Sequence, residues 1–141
     1  FQDQGYKVTA LEPSKNLCMG IRKVFSGEIV CSDIQSYQPE ERYDGIWACA
    51  SFLHLREKEV LRFFEKMDLY LKDNGILYLS GKNGIPTGEA ADGRYFLEFT
   101  EELVEKILAV NDRVRIEGLW YTGDVNGREG FRWMNVIFKM L

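Results

Sequence analysis

A strand, a helix and a second strand follow one another between residues 45 and 79, and that order constrains the fold more than any other feature of the chain. Gly45-Ile46-Trp47-Ala48-Cys49-Ala50 is a continuous apolar run, the pattern of a parallel strand covered on both faces. Glu57 to Leu71 then repeats apolar residues at helical spacing, with Val60, Phe63, Phe64, Met67 and Leu71 on one side. Glu57 and Glu59 sit in its first turn, where the helix dipole favours them. Asn74-Gly75 ends that segment, and Ile76-Leu77-Tyr78-Leu79 is the next apolar run. Strands joined through a helix pair in parallel, because the crossover returns the second strand in the direction of the first.

The same alternation extends on both sides. Upstream, Val8 to Leu11 reads as a short buried strand, and Pro13-Ser14 open a helix that carries Leu17, Ile21 and Val24 and stops at Gly27. Ile29 to Cys31 is the next strand, and the polar stretch from Asp33 to Arg42, with Pro39, reads as a loop. Downstream, Gly81 to Arg94 holds four glycines and a proline, the composition of a long loop with a functional part. Thr100 caps a helix from Glu101 to Val110. Val114, Ile116 and Trp120 alternate along a strand, Phe131 to Phe138 forms the last one, and glycine-rich Thr122 to Gly130 joins the two as an antiparallel hairpin. The expected class is α/β in a single domain, 1–141, with a mostly parallel sheet and an antiparallel edge.

Two acids stand just past apolar strands: Glu12 after Lys7 to Leu11, and Asp33 after Glu28 to Ser32. In open α/β sheets the carboxyl ends of the strands face the ligand crevice, and a carboxylate there accepts hydrogen bonds from ribose hydroxyls or an amino group. The pair points to a nucleoside.

The stretches VTALEPS (8–14), SDIQSY (32–37), YDGIWACASFLHL (43–55) and YLKDNGILYLS (70–80), with the terminal hairpin, resemble the class I S-adenosylmethionine-dependent methyltransferases over essentially the whole chain. GKNG (81–84), DGRYF (92–96), GLWYTGD and RWMNV are similar to a bacterial small-molecule branch related to tellurite-resistance methyltransferases. The resemblance implies a Rossmann-like sheet with helices on both faces, S-adenosylmethionine as cofactor and a small-molecule acceptor. Glu12 then matches the acid that holds both ribose hydroxyls. Asp33 matches the acid that takes the adenine amino group, with Ile34 on the ring. The plain alternatives are a solvated carboxylate and a turn-forming aspartate.

Ala48, Ala50 and Ser51 match the strand end that passes the methionine part, where small side chains leave room; ordinary packing is the alternative. His54 follows, placed to orient an acceptor or remove its proton, or to cap the next helix. Lys82 and Arg94 are cations suited to an anionic acceptor. A solvated surface charge is the alternative for both, and function is favoured only for Arg94, because Gly93 before it and Tyr95-Phe96 after it resemble a lid. Trp120, Trp133 and Asn135 on the hairpin are expected to wall the acceptor pocket, core packing being the commoner reason for strand tryptophans.

Composition narrows the alternatives. A net charge of −4 gives no field that attracts polyanions, so nucleic acid is not expected as a partner. One histidine and three cysteines without metal spacing argue against a metal centre. Cys18, Cys31 and Cys49 read as buried free thiols of a cytoplasmic protein, and no apolar run is long enough for a bilayer span.

The family's first strand and glycine-rich turn do not precede Phe1. That strand is central, between the strands of Val8 to Leu11 and Gly45 to Ala50. The expectation is therefore an N-terminally incomplete domain, or a partner segment filling the slot, since each dry unpaired backbone group costs about 1–3 kcal/mol. Two other functions remain open at this level: a non-catalytic interaction module on the same architecture, and a nicotinamide-dependent oxidoreductase, against which the terminal hairpin speaks.

Overall fold

The computed structural model describes residues 1–141, which fall into two units, Phe1–Gln38 and Pro39–Leu141. In the first, β1 (Thr9–Leu11) and β2 (Glu28–Val30) pair in parallel, with Leu11 opposite Val30. The helix α1 (Lys15–Ile21) connects them. Ser14 caps it, its hydroxyl accepting from the Leu17 N–H at 3.3 Å, as Pro13-Ser14 predicts. The helix ends six residues before Gly27, and its buried residue is Cys18 rather than Leu17. Gly27 is required for another reason: a Cβ there would lie 2.5 Å from the Val8 carbonyl oxygen.

The second unit is built on a four-stranded sheet. β3 (Tyr43–Cys49) pairs in parallel with β4 (Leu71–Asn83), the βαβ unit read from the sequence, and the helix between them is α2 (Glu57–Glu65). A short antiparallel ribbon, β5 (Gly88–Glu89) with β6 (Tyr95–Phe96), follows. Then come α3 (Glu101–Val110), β7 (Val114–Thr122) and β8 (Arg132–Met140). The order is β3-β4-β8-β7, with β8 antiparallel to both neighbours. The terminal hairpin is thus inserted into the sheet.

One face of this sheet is the core. Leu77, Leu79, Met134, Val136, Phe138 and Met140 are all at most 1% exposed, alternating in β4 and β8 as a one-faced strand must. α2 packs on α3, and the Phe64 ring meets Phe138 edge-on at 4.8 Å. Burying each such side chain contributes about 1.5–3 kcal/mol, so this layer holds the unit together.

Several local expectations change. The helix predicted over Glu57 to Leu71 stops at Glu65; a 3-10 turn, Met67–Leu69, follows, and Leu71 is already in the sheet opposite Tyr43. Met67 and Leu71 are nonetheless fully buried, so the periodicity marked burial correctly while the sheet claimed the backbone. Asn74, at φ 65°, and Gly75 make a protrusion inside β4 instead of a helix end. The run of Gly45 to Ala50 is not covered on both faces. β3 is an edge strand, and Trp47 is 59% exposed, stacked on Tyr78 at 4.0 Å. Of the cysteines, Cys18 is buried but Cys31 and Cys49 are exposed, because Cys31 lies past the end of β2 and Cys49 shares the open face of β3 with Trp47. No helix is long and apolar enough to cross a membrane.

Candidate functional site

In the first unit the two acids stand at the same rim. Each follows the carboxyl end of one of two paired parallel strands, and the Glu12 N–H extends the ladder by donating to the Val30 carbonyl at 3.1 Å. Glu12 is half-buried, and its Oε1 accepts from the Ser14 N–H at 2.8 Å. That bond orients the carboxylate and leaves Oε2 without a protein donor. Asp33 is exposed, and Ser36 engages both its oxygens, the N–H at 2.8 Å and the hydroxyl at 3.1 Å. Those two donors hold its carboxyl below the usual carboxylate range. Asp33 thus braces the turn after β2 with both oxygens, and Ile34 beside it is half-buried.

In the second unit the end of β3 carries an unusual backbone. Ala50 has φ 53°, a left-handed conformation that costs a non-glycine residue about 1–2 kcal/mol. Its N–H donates to the Ser80 hydroxyl at 3.0 Å, and Ser80 is 3% exposed. The kink turns the chain into the 3-10 segment Phe52–His54, with exposed Ser51 at its start. Ala48 is 4% exposed and opposite Leu79 in the register, so its small side chain belongs to the core, as the packing alternative has it. Ser80 was not legible as a site residue: nothing in a serine within an apolar strand reveals that it clamps a backbone thirty positions away.

His54 is exposed, and its Nδ1 lies 3.0 Å from the Tyr95 carbonyl oxygen. A carbonyl only accepts, so Nδ1 carries a proton in this contact, and Nε2 is the nitrogen left for an acceptor role. The imidazole also sits 4.9 Å from the Phe96 ring. The lid-like segment around Tyr95-Phe96 is thus tied to His54, and the Arg56 guanidinium covers the Tyr95 ring at 4.8 Å.

Arg94, expected to grip an anionic acceptor, is paired within its own turn. Its guanidinium bonds Asp92 at 2.7 and 2.8 Å; the pairing draws the Asp92 carboxyl down and pushes the Arg94 guanidinium up. An aspartate two residues away wins because the local turn places it there first. Lys82 stands unpaired: its ammonium lies over Phe131 at 4.5 Å, Phe96 at 5.2 Å and Trp133 at 5.8 Å. Trp133 is directly opposite Lys82 in the ladder. Its indole N–H donates to Asp124 at 3.2 Å, and Asp124, whose side chain is 1% exposed, also binds Arg128 at 2.7 Å. Trp120 lies two positions along the hairpin from that pair, 40% exposed and 6.2 Å from Tyr78. The structure thus brings together His54, Tyr95, Phe96, Lys82 and Trp133, and leaves Trp120 apart. Asn135 serves the sheet, accepting from the Tyr78 hydroxyl at 2.6 Å.

The acceptors of the first unit fit the hydroxyl and amino donors of an adenosine: an oriented half-buried carboxylate with one oxygen unengaged by protein donors, and a second carboxylate at the neighbouring strand end. A family model for the methyltransferase domain matches residues 1–79. No curated protein matches the chain. Among solved structures, the fold is that of 1,6-didemethyltoxoflavin-N1-methyltransferase from Burkholderia thailandensis, solved with S-adenosylhomocysteine and 1,6-didemethyltoxoflavin. That likeness has TM-score 0.75 at 18% identity, covering 99% of this chain and 64% of that one. A SAM-dependent methyltransferase from Methanosarcina mazei matches with TM-score 0.75 at 16% identity, covering 98% and 84%. The [4+2]-cyclase SpnF matches with TM-score 0.71 at 14% identity, covering 99% of this chain and 68% of that one. The chain thus spans less than two thirds of the length of the toxoflavin enzyme.

Proposed function

The chain belongs to the methyltransferase-domain family, and from that premise we propose that it binds S-adenosylmethionine and transfers the sulfonium methyl group to a small-molecule acceptor in the cytoplasm. The observation that carries the reading is Glu12: a carboxylate fixed by the Ser14 N–H at a strand end, its second oxygen open to a ribose hydroxyl. Asp33 and Ile34 would take the adenine edge and face. When bound, the cofactor supplies an electrophilic methyl group, so what is asked of the chain is to bind, align and exclude water. In the second unit, His54 rests Nδ1 on the Tyr95 carbonyl and offers Nε2 as a candidate base for an acceptor's proton. Tyr95, Phe96 and Trp133 supply the apolar walls, and the strained Ala50 backbone and Ser51 carry the chain from β3 to His54.

Isothermal titration with S-adenosylmethionine tests this. A saturable heat is expected, weakened about 10- to 100-fold in Glu12→Gln, the loss of charge-assisted hydrogen bonds. Silence from the unsubstituted protein, or a variant that binds as well, would overturn the reading. A cyclase shares the fold, and fold alone does not fix chemistry. Transfer of a labelled methyl group to an acceptor extract separates the two: cofactor binding without any labelled product favours the non-transferring role.

A further inference from the structure

We propose that Lys82 selects the acceptor by charge, and that the cavity beside it takes a small planar anion of the aromatic carboxylate class; the word acceptor rests on the methyl-transfer reading above. The cavity, about 270 Å³, lies between Lys82, Phe96 and the segment 85–90. That volume falls just below the usual range of ligand sites, which starts at about 300 Å³, and suits a single ring with one substituent.

Of Lys82, Arg56, Arg94 and Arg128, Lys82 alone pairs with no carboxylate. Asp92 is taken by Arg94, Asp124 by Arg128 and the Trp133 indole, and Glu98 accepts from the Gly84 N–H at 2.8 Å. Glu89, which lines the cavity, faces the Arg56 guanidinium at 3.9 Å. Each neighbouring carboxylate has a donor of its own, and none of them pairs with Lys82. Its ammonium is instead held over three ring faces, an attraction that fixes a cation without neutralising it.

Such a lysine is prepared for an anion. The half-buried stem and surrounding rings lower the local dielectric, which strengthens Coulomb attraction to an incoming carboxylate and repulsion of an incoming ammonium. The Phe96 ring, on the cavity wall, offers a face to a planar ligand body. Thr87 Oγ1 already accepts from the Glu98 N–H at 2.9 Å, so its hydroxyl hydrogen is available as a second donor.

The test uses three probes of one shape, benzoate, benzamide and benzylamine, titrated into the protein and into Lys82→Met, Lys82→Arg and the exposed-helix control Lys58→Met. The readout is the Trp133 indole N–H resonance, assigned with Trp133→Phe. Benzoate should bind saturably and shift that resonance, at least about tenfold more tightly than either other probe. Lys82→Met should lose about tenfold or more, Lys82→Arg should stay within about threefold, and Lys58→Met should match the unsubstituted protein. Should Lys82→Met fail to fold by circular dichroism, Lys82→Gln takes its place, and the three-probe ranking in the unsubstituted protein decides by itself. Benzoate binding no tighter than benzamide, no saturable binding at all, or full benzoate affinity without the ammonium overturns the proposal. Titrating S-adenosylmethionine into the same samples separates the failures. Benzoate selectivity without cofactor binding sinks the methyl-transfer reading alone, and cofactor binding without benzoate selectivity sinks this proposal alone.

Discussion

Replacing Gly81 by alanine should destabilise the protein well beyond what a single methyl group suggests. Gly81 lies in β4, and a Cβ built there would fall 2.2 Å from Cγ and Cδ2 of Phe99 and 2.8 Å from Cδ1. Phe99 is 1% exposed, so the ring has no free space to enter. Its backbone is pinned too: the Phe99 N–H donates to the Lys82 carbonyl at 2.7 Å, and its own carbonyl accepts from the Asn83 side-chain amide at 2.9 Å. Relief requires the ring or the strand to move by more than an ångström. Overpacking of this kind costs about 1–3 kcal/mol, and giving up part of the Phe99 burial or one of its hydrogen bonds adds about 1 kcal/mol. Alanine recovers roughly 0.4–1 kcal/mol by restricting the unfolded chain. The expected net loss is about 2–3 kcal/mol, read from equilibrium urea denaturation followed by tryptophan fluorescence. Phe99→Leu alone should cost about 1–1.5 kcal/mol. Combined with Gly81→Ala it should cost less than the sum by about 1 kcal/mol, since the smaller side chain makes room. A Gly81→Ala variant within about 0.5 kcal/mol of the unsubstituted protein, or strict additivity of the pair, would refute the argument that this contact is tight.

Three further outcomes follow from other parts of the structure. Arg128, the Trp133 indole and two backbone N–H groups hold the Asp124 carboxyl far below the usual range. Its contribution is therefore present above the unfolded carboxylate value of about 4 and is lost as pH falls toward the lowered folded value. Asp124→Asn should be less stable at pH 7 and approach the unsubstituted protein on acidification from about pH 5 to pH 2, measured by thermal unfolding across pH; a constant gap would count against the pairing. The Cys18 thiol, beside Cys31 and buried, is pushed up to about 11, so at pH 8 it should alkylate at least about tenfold more slowly than exposed Cys49, followed by peptide mass spectrometry. Thr100→Ala removes the hydroxyl that accepts from the Leu103 N–H at 3.1 Å and should cost about 1 kcal/mol in a melt, with Thr100→Ser close to unchanged.

The expectations that held share a physical basis in local pattern. Apolar periodicity located β3, α2, β4, α3 and the hairpin strands, and capping chemistry placed Ser14 and Thr100. The two acids after β1 and β2 were also legible, because a strand end is a local event and parallel pairing puts consecutive strand ends at one rim. Where expectation failed, a long-range competitor was present. α2 lost its last turns to sheet pairing at Leu71, and the apolar residues of β3 stayed half-exposed because the strand lies at an edge.

By itself, then, the sequence determined the α/β alternation, the inserted terminal hairpin and the carboxylates that follow β1 and β2, all of which depend on spacing within a few residues. Tertiary structure alone decided the surroundings of Lys82: Arg94 is taken by an aspartate two residues away, whereas strand register sets Lys82 opposite Trp133 and among three rings. It alone, too, bent Ala50 onto the Ser80 hydroxyl and tied His54 to the Tyr95 carbonyl. Those two bonds join residues 30 and 41 positions apart, and no local pattern encodes a partner that only the folded chain brings within reach.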